Sequence, residues 1–385
     1  MLAQQIALRC QVFSIIDEVL TLCMITIDTR SHGQPVDALI VACFGSDDHR
    51  ENRRPYVQVL PMKSYTLRVD GTQVLLQRVD LPCPEPGPGQ LLLKMHAAGL
   101  NRGEFIPGGL VKGGASKPAG MEGAGEIVAL GADVSSLQPG QRVMGRCAGA
   151  FSEYALMDAR EALPVPAGLS MQAAAAVPLA FLVVHDMLVL QGRLQAGQWL
   201  LVTGVSSGVG VASLQAAKAL GARVIGTSGS SDKLARLQPL GLDSSINTRA
   251  PDFAGRVLDA TGGHGADLVI NTVGGSVFAE CVRCMAFEGR LATVGYVDHQ
   301  LKAEIDLQAL HAKRLTLFGV SNKLRNAEQR AAGVPAFKAD LWPAIADGRI
   351  QPLVDRVFAF DELPAAQAHM QANQHLGKIV LKIFD

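Results

Sequence analysis

The sequence predicts an α/β protein in which a small β-barrel is followed by a doubly wound parallel sheet, and three observations support this. Short strands broken by glycine and proline fill residues 63–166, as in a barrel. From residue 199 onward, apolar runs short enough for buried strands alternate with segments of helical periodicity. Between the first such strand and its helix lies a glycine-bearing turn, residues 205–210.

Taken in order, residues 1–61 do not join this pattern. They hold one helical stretch (5–22), one strand-like run (38–44) and a polar stretch, and are read as an appended segment. Barrel strands are expected at 65–68, 74–79, 90–98, 125–130, 142–145 and 152–157, followed by a helix over 172–190. Sheet strands follow at 199–203, 223–227, 244–246, 267–271, 290–294 and 316–320, with helices between most of them. A helix at 363–374 and a strand at 378–383 close the chain, and so late a strand could return to the first domain. The implied division is 62–185, 186–320 and 321–385.

Apolar residues recur at helical spacing through Val211, Leu214, Ala217 and Leu220, so the turn before them sits at a helix N-terminus. Unpaired N–H groups and the positive end of the helix dipole suit a pyrophosphate there. Gly208 and Gly210 allow close approach, whereas Val205 and Ser207 replace the first two glycines of G-x-G-x-x-G. The next strand ends at Ser228, where a site for NAD would place a carboxylate. Ser228, the turn N–H groups and the Lys233 ammonium would instead accept a 2'-phosphate, which favours NADPH. The plainer alternative is an ordinary turn with a solvated lysine.

Lys plus Arg and Asp plus Glu number 35 each, so no global field draws nucleic acid or an anionic membrane. Seven scattered cysteines argue against a disulfide framework and for a reducing compartment such as the cytoplasm. Cys281 and Cys284 read as packed thiols, because no second C-x-x-C completes a zinc site. No apolar run is long enough to span a bilayer.

The stretches Ala97-Ala-Gly-Leu-Asn-Arg-Gly-Glu104, Gly120-Met-Glu-Gly-Ala-Gly125, Gly140-Gln-Arg-Val143, the 205–210 turn, Thr261-Gly-Gly263, residues 267–275 and Gly377-Lys-Ile-Val-Leu-Lys382 occur in a telling order. Together they resemble the zinc-free quinone oxidoreductase branch of the medium-chain dehydrogenase/reductase superfamily. The resemblance implies a GroES-like barrel split in sequence by a Rossmann domain, with substrate and nicotinamide meeting between them, and a homodimer formed through sheet edges. Zinc alcohol dehydrogenases of that superfamily carry Cys where Asn101 stands and His where Met121 stands, and an amide and a thioether are poor zinc ligands. Conjugate reduction of a quinone or enone by hydride is then the easier chemistry, with Asn101 as the donor to the developing oxyanion. By position, the resemblance carries cofactor contacts onto Ser206, Ser207, Gly208, Val209, Gly210, Ser228, Lys233, Thr248, Asn271, Gly274, Gly295, Tyr296 and Asn322.

Departures from the family remove its proton donors. The loop 108–114 has no tyrosine, with Val111 near the expected place, and Val183 replaces a threonine. Thr248 replaces an adenosine-packing tyrosine, although Arg249 beside it could supply charge. Water is the remaining proton source. Tyr296 reads equally as a plug between domains or a substrate wall. His185 reads as a packed histidine, Glu122 as structural, and His369 and His375 as solvated. Two other functions compete: reduction of an enoyl thioester, for which Lys112, Lys117 and residues 323–330 give no compact phosphate patch, and nucleotide binding with little catalysis.

Overall fold

The computed structural model describes residues 8–13, 21–27, 39–44, 61–71, 73–106 and 116–384, so loop 108–114 with Val111 lies outside it. Two compact units emerge, Met1–Pro61 and Met62–Asp385.

In the first unit the strands Leu8–Phe13, Thr21–Ile27 and Leu39–Phe44 form an antiparallel sheet in that order. The helix expected over 5–22 is therefore corrected to strand within its described residues. Leu8 and Val12 suit either period, but Val12, Phe13 and Thr21 favour a pleated strand, and pairing such as Val12 with Cys23 is invisible to local pattern.

In the second unit the strands Gln90–Gly99, Glu122–Leu130, Arg142–Ala148 and Tyr154–Asp158 are antiparallel in succession. Tyr154–Asp158 then pairs back onto the first half of Gln90–Gly99, closing a small barrel. The second half of that same strand receives Lys378–Lys382 from the far end of the chain, with Val380 opposite Gly99. The barrel core is apolar and tight, with Leu91, Leu93, Met95 and Phe151 fully buried. Each such side chain contributes roughly 1.5–3 kcal/mol of transfer free energy.

The six-stranded sheet runs in the spatial order Ser244–Asn247, Arg223–Ser228, Trp199–Thr203, Ala266–Asn271, Met285–Thr293, Thr316–Gly319, all parallel. This is the doubly wound arrangement expected from sequence. Strand order reverses between Trp199–Thr203 and Ala266–Asn271, and ligands bind beyond the carboxyl ends of such a pair. The helix Pro178–His185 and the wide turn Asp186–Leu190 cover one face of the sheet. They share one core with the helices Gly208–Ala219, Val334–Asp340 and Trp342–Ala346 through Val184, Met187, Leu214, Phe337 and Ile345.

Candidate cofactor and substrate cleft

At the reversal point the helix Gly208–Ala219 begins under a serine cap, the Ser207 hydroxyl accepting from the Gly210 N–H at 3.1 Å. Among the described residues no acceptor meets the N–H groups of Gly208 and Val209, so two donors point outward from a helix start. Both glycines are required by neighbours. A methyl at Gly210 would stand 2.6 Å from the Gly204 carbonyl oxygen, and one at Gly208 would stand 2.9 Å from Lys378 Cδ. The second contact differs from the sequence expectation, because the turn abuts the barrel's returning strand. The Gly377 N–H donates to the Ser206 carbonyl at 3.1 Å across the same seam.

Ser228 closes the second strand, buried, its hydroxyl 3.2 Å from that of Ser206. Lys233 points elsewhere. Its ammonium donates to the carbonyls of Asn373 (2.7 Å) and His375 (2.8 Å), tying the sheet to the loop before the returning strand. Thr248 is spent on its own turn, bonded to Asp252 at 2.7 Å. The cation beside Ser228 is Arg249, packed so closely that a methyl at Gly229 would lie 2.4 Å from its Nε. Among the described residues its guanidinium makes no hydrogen bond or ion pair. A serine pair, an unengaged guanidinium and outward N–H groups, with no carboxylate at the strand end, fit a dinucleotide bearing a 2'-phosphate.

A cleft of about 1300 Å³ opens beside this turn, lined by Asn101, Met121 and Arg146 from the barrel and by Val209, Asn271, Gly274, Tyr296 and Asn322 from the sheet domain. Asn271 is fully buried and caps the crevice turn: its Oδ1 accepts from the N–H groups of Val273 and Gly274, and its Nδ2 donates to the Gly274 carbonyl. Gly274 has φ +129°, and a methyl there would fall 2.0 Å from Asp298 Oδ1. Gly295 packs against the Thr272 carbonyl. Tyr296 is 51% exposed at the cleft wall, and Asn322 accepts from Arg325 at 3.2 Å.

Asn101 sits at the barrel side of the cleft with both amide hydrogens engaged. Its Nδ2 donates to Glu104 Oε1 (3.0 Å) and Glu122 Oε1 (2.9 Å), and its Oδ1 accepts from Lys378 Nζ (2.9 Å). Lys378 also donates to Glu122 Oε1 at 2.6 Å and to the Leu100 carbonyl at 2.8 Å, while Glu122 Oε2 accepts from the Leu179 N–H at 2.7 Å. The amide that sequence reasoning assigned to an oxyanion is thus saturated by a buried polar network. Burial raises the Glu104 carboxyl to about 8; the Asn101 hydrogen bond opposes this and the nearby Glu122 charge adds to it. Glu104 Oε2 has no partner, as suits a neutral carboxyl in an apolar wall. The sequence reading missed the roles of Glu104 and Lys378. The Asn-x-x-Glu spacing across the turn Arg102–Phe105 was the one local signal.

The donor set does not suit zinc. The two positions that differ from the zinc enzymes hold an amide and a thioether, and the adjacent Glu122 is already paired to an ammonium. Among the described residues no three His, Cys, Asp or Glu side chains lie close enough to hold a metal ion. Cys281 and Cys284 are buried, and burial pushes the Cys284 thiol up to about 12. His185 is buried, bonded to Asp340 at 2.7 Å and edge-on to Phe337. His369 and His375, expected in solvent, are half-buried. His369 bonds Asp355 at 2.8 Å, and burial beside Arg102 and Lys233 lowers His375 to about 4.

Comparison with known proteins agrees with this architecture. The alcohol dehydrogenase GroES-like domain family matches residues 87–167, and the family described as zinc-binding dehydrogenase matches residues 208–333. A phenolphthiocerol/phthiocerol polyketide synthase protein of Mycobacterium tuberculosis is 31% identical over 77% of this chain, and this chain spans only 14% of that protein's length. A mycobacterial protein solved in complex with NADPH superposes with a TM-score of 0.75 at 28% identity, covering 84% of this chain and 100% of that one. A mycobacterial quinone oxidoreductase gives a TM-score of 0.72 at 27% identity over the same shares. Barrel, reversed strand order, glycine turn and family matches agree, and the chain belongs to the medium-chain dehydrogenase/reductase superfamily.

Proposed function

We propose that this chain is an NADPH-dependent reductase that works without a metal on a quinone or an α,β-unsaturated carbonyl compound. The observation that carries the reading is the pairing, in one cleft, of a dinucleotide turn with a barrel wall of amide and thioether backed by an ion-paired carboxylate. The similar mycobacterial structures, one solved with NADPH and one described as a quinone oxidoreductase, support it. Bound here, NADPH supplies a hydride that adds to the β-carbon of a conjugated acceptor.

The protein's own residues then have separable tasks. The N–H groups of Gly208 and Val209 bind pyrophosphate oxygens, while Ser228 and Arg249 bind the 2'-phosphate. Asn271 and Gly274 hold the crevice open to a flat ring, because no Cβ projects from Gly274. Met121, Val183 and Leu179 give the cleft an apolar wall that keeps water from the reacting carbon. With both Asn101 hydrogens committed to the Glu104 and Glu122 carboxyl groups, the developing oxyanion takes its hydrogen bond and its proton from water at the cleft mouth.

A second reading, reduction of an enoyl thioester, is favoured by the match to a segment of a polyketide synthase protein. Buried free thiols suit a cytoplasmic enzyme, and among the described residues no helix is long and apolar enough to cross a membrane. The open edge strand Thr316–Gly319, with exposed Phe287 and Leu307 nearby in the sheet domain, offers a face for a second copy and hence a homodimer.

The test is NADPH oxidation, followed by absorbance with chelator present, against matched quinones, enones and enoyl thioesters. Turnover of a quinone or enone that withstands chelation is the expected result. Tight NADPH binding with no turnover of any acceptor would reject the catalytic reading.

A further inference from the structure

We propose that Arg146 and Arg330 form a subsite for an anionic group on the substrate, a carboxylate or phosphate that takes no part in the hydride chemistry. This rests on the reading of the cleft as a reductase site.

The first support is charge. Among the described residues the cleft wall includes Arg146, Lys302, Lys323 and Arg330 and no Asp or Glu. The candidate partners for the cofactor's own phosphates, the 208–209 turn and Arg249, belong to the sheet domain. Arg146 instead belongs to the barrel, on the strand Arg142–Ala148 directly opposite Glu122, so it shares the wall formed by Asn101 and Met121. Arg330 reaches the same cleft from the helix Ala327–Ala331.

The second support is an imbalance behind that wall. One buried carboxylate, Glu161, lies within electrostatic reach of both guanidinium groups but pairs with only one of them, Arg330 Nε at 3.5 Å from its Oε1. Arg330 is further anchored, its Nη1 donating to the Arg325 carbonyl at 2.6 Å. Arg146 is half-buried, yet among the described residues its side chain makes no hydrogen bond and no ion pair. Had the pair been built only to neutralise Glu161, Arg146 would close on it. Two guanidinium charges beside one carboxylate leave a net positive charge in a half-buried wall, and such a charge is costly unless a counterion arrives. Burial and the neighbouring Arg330 charge weaken Arg146's hold on its proton, while the Glu161 charge opposes this. A guanidinium fork presents paired N–H donors that match either carboxylate or phosphate oxygens.

The chemistry predicts selectivity for acidic acceptors. Benzalacetone and para-carboxybenzalacetone have the same enone and differ in one anionic group. The wild-type protein should favour the carboxylate compound about tenfold or more in kcat/KM, mainly through KM. In Arg146→Gln that ratio should fall toward one, and in Arg146→Lys part of it should return. Crotonyl-CoA against crotonylpantetheine asks the same of a phosphate, and an Arg146-dependent advantage in only one pair identifies the anion's source. Calorimetry with the unreactive hydrocinnamate and its neutral amide reads the subsite without turnover. A wild-type ratio near one in both acceptor pairs, with hydrocinnamate bound no better than the amide, would overturn the subsite. If neither enone consumes NADPH while hydrocinnamate still binds through Arg146, the subsite stands and the reductase reading falls.

Discussion

Glu104 offers the sharpest test of the buried network beneath the cleft. Its carboxyl is raised from an ordinary value of 4.5 to about 8, so at neutral pH it is protonated in the fold and ionised in the unfolded chain. Holding that proton at pH 7 costs about 3 kcal/mol, at roughly 1.4 kcal/mol for each unit between the unfolded value and the working pH. Because the folded value lies above the unfolded one, the stability associated with Glu104 is complete below about 4.5. It declines as pH rises and is lost by the time pH passes about 8. Glu104→Gln keeps an oxygen to accept from Asn101 Nδ2 and removes the titration. Relative to wild type, the variant should be nearly neutral at about pH 5 and more stable by about 2–3 kcal/mol at pH 7, with the advantage levelling off above about pH 8.5. Chemical denaturation of both proteins across that range measures the difference directly. A difference that stays constant with pH would refute the argument, showing either that Glu104 ionises normally in the fold or that its site is open to water.

Lys378→Met strands the buried Glu122 charge and should cost about 3–5 kcal/mol in the same denaturation assay, with partial recovery when Glu122→Gln is added. Gly274→Ala must leave the φ of +129° and meets Asp298, so NADPH affinity measured by fluorescence titration should fall at least tenfold. Ser228→Asp places a carboxylate beside the expected 2'-phosphate and should lower the preference for NADPH over NADH by tenfold or more, as should Arg249→Ala. An unchanged preference in both variants would remove the 2'-phosphate assignment.

The sheet was legible because its central strands, such as 199–203 and 267–271, are short buried runs punctuated by glycine or polar residues that mark their ends. The barrel was legible from turn residues, and even the return of the last strand was open to inference. The cleft was less so. Asn101 and Met121 stood out against a family pattern, whereas Lys378 carried no local sign of its role, because the carboxylate it pairs with lies in another strand far away in sequence. Lys233 shows what position alone leaves out: its place after the second strand suits a phosphate, and in the fold two backbone carbonyls of the 373–375 loop accept from its ammonium. Arg249 was only an afterthought to Thr248. Its importance depends on which neighbouring side chains are already satisfied, and that is decided by tertiary contacts.

The seam between the 205–210 turn and the returning strand has a consequence for how the protein is made. The residues of the sheet, 199–319, leave the ribosome well before Gly377 and Lys378, so the sheet can form while the cleft still lacks one side. Until the last strand docks on Gln90–Gly99, the Ser206 carbonyl lacks its Gly377 partner and Glu122 lacks its counterion. A nascent chain can therefore gain a folded core without gaining a competent site. Truncation just before Gly377 should yield a protein with an intact sheet, an unclosed barrel edge and no activity.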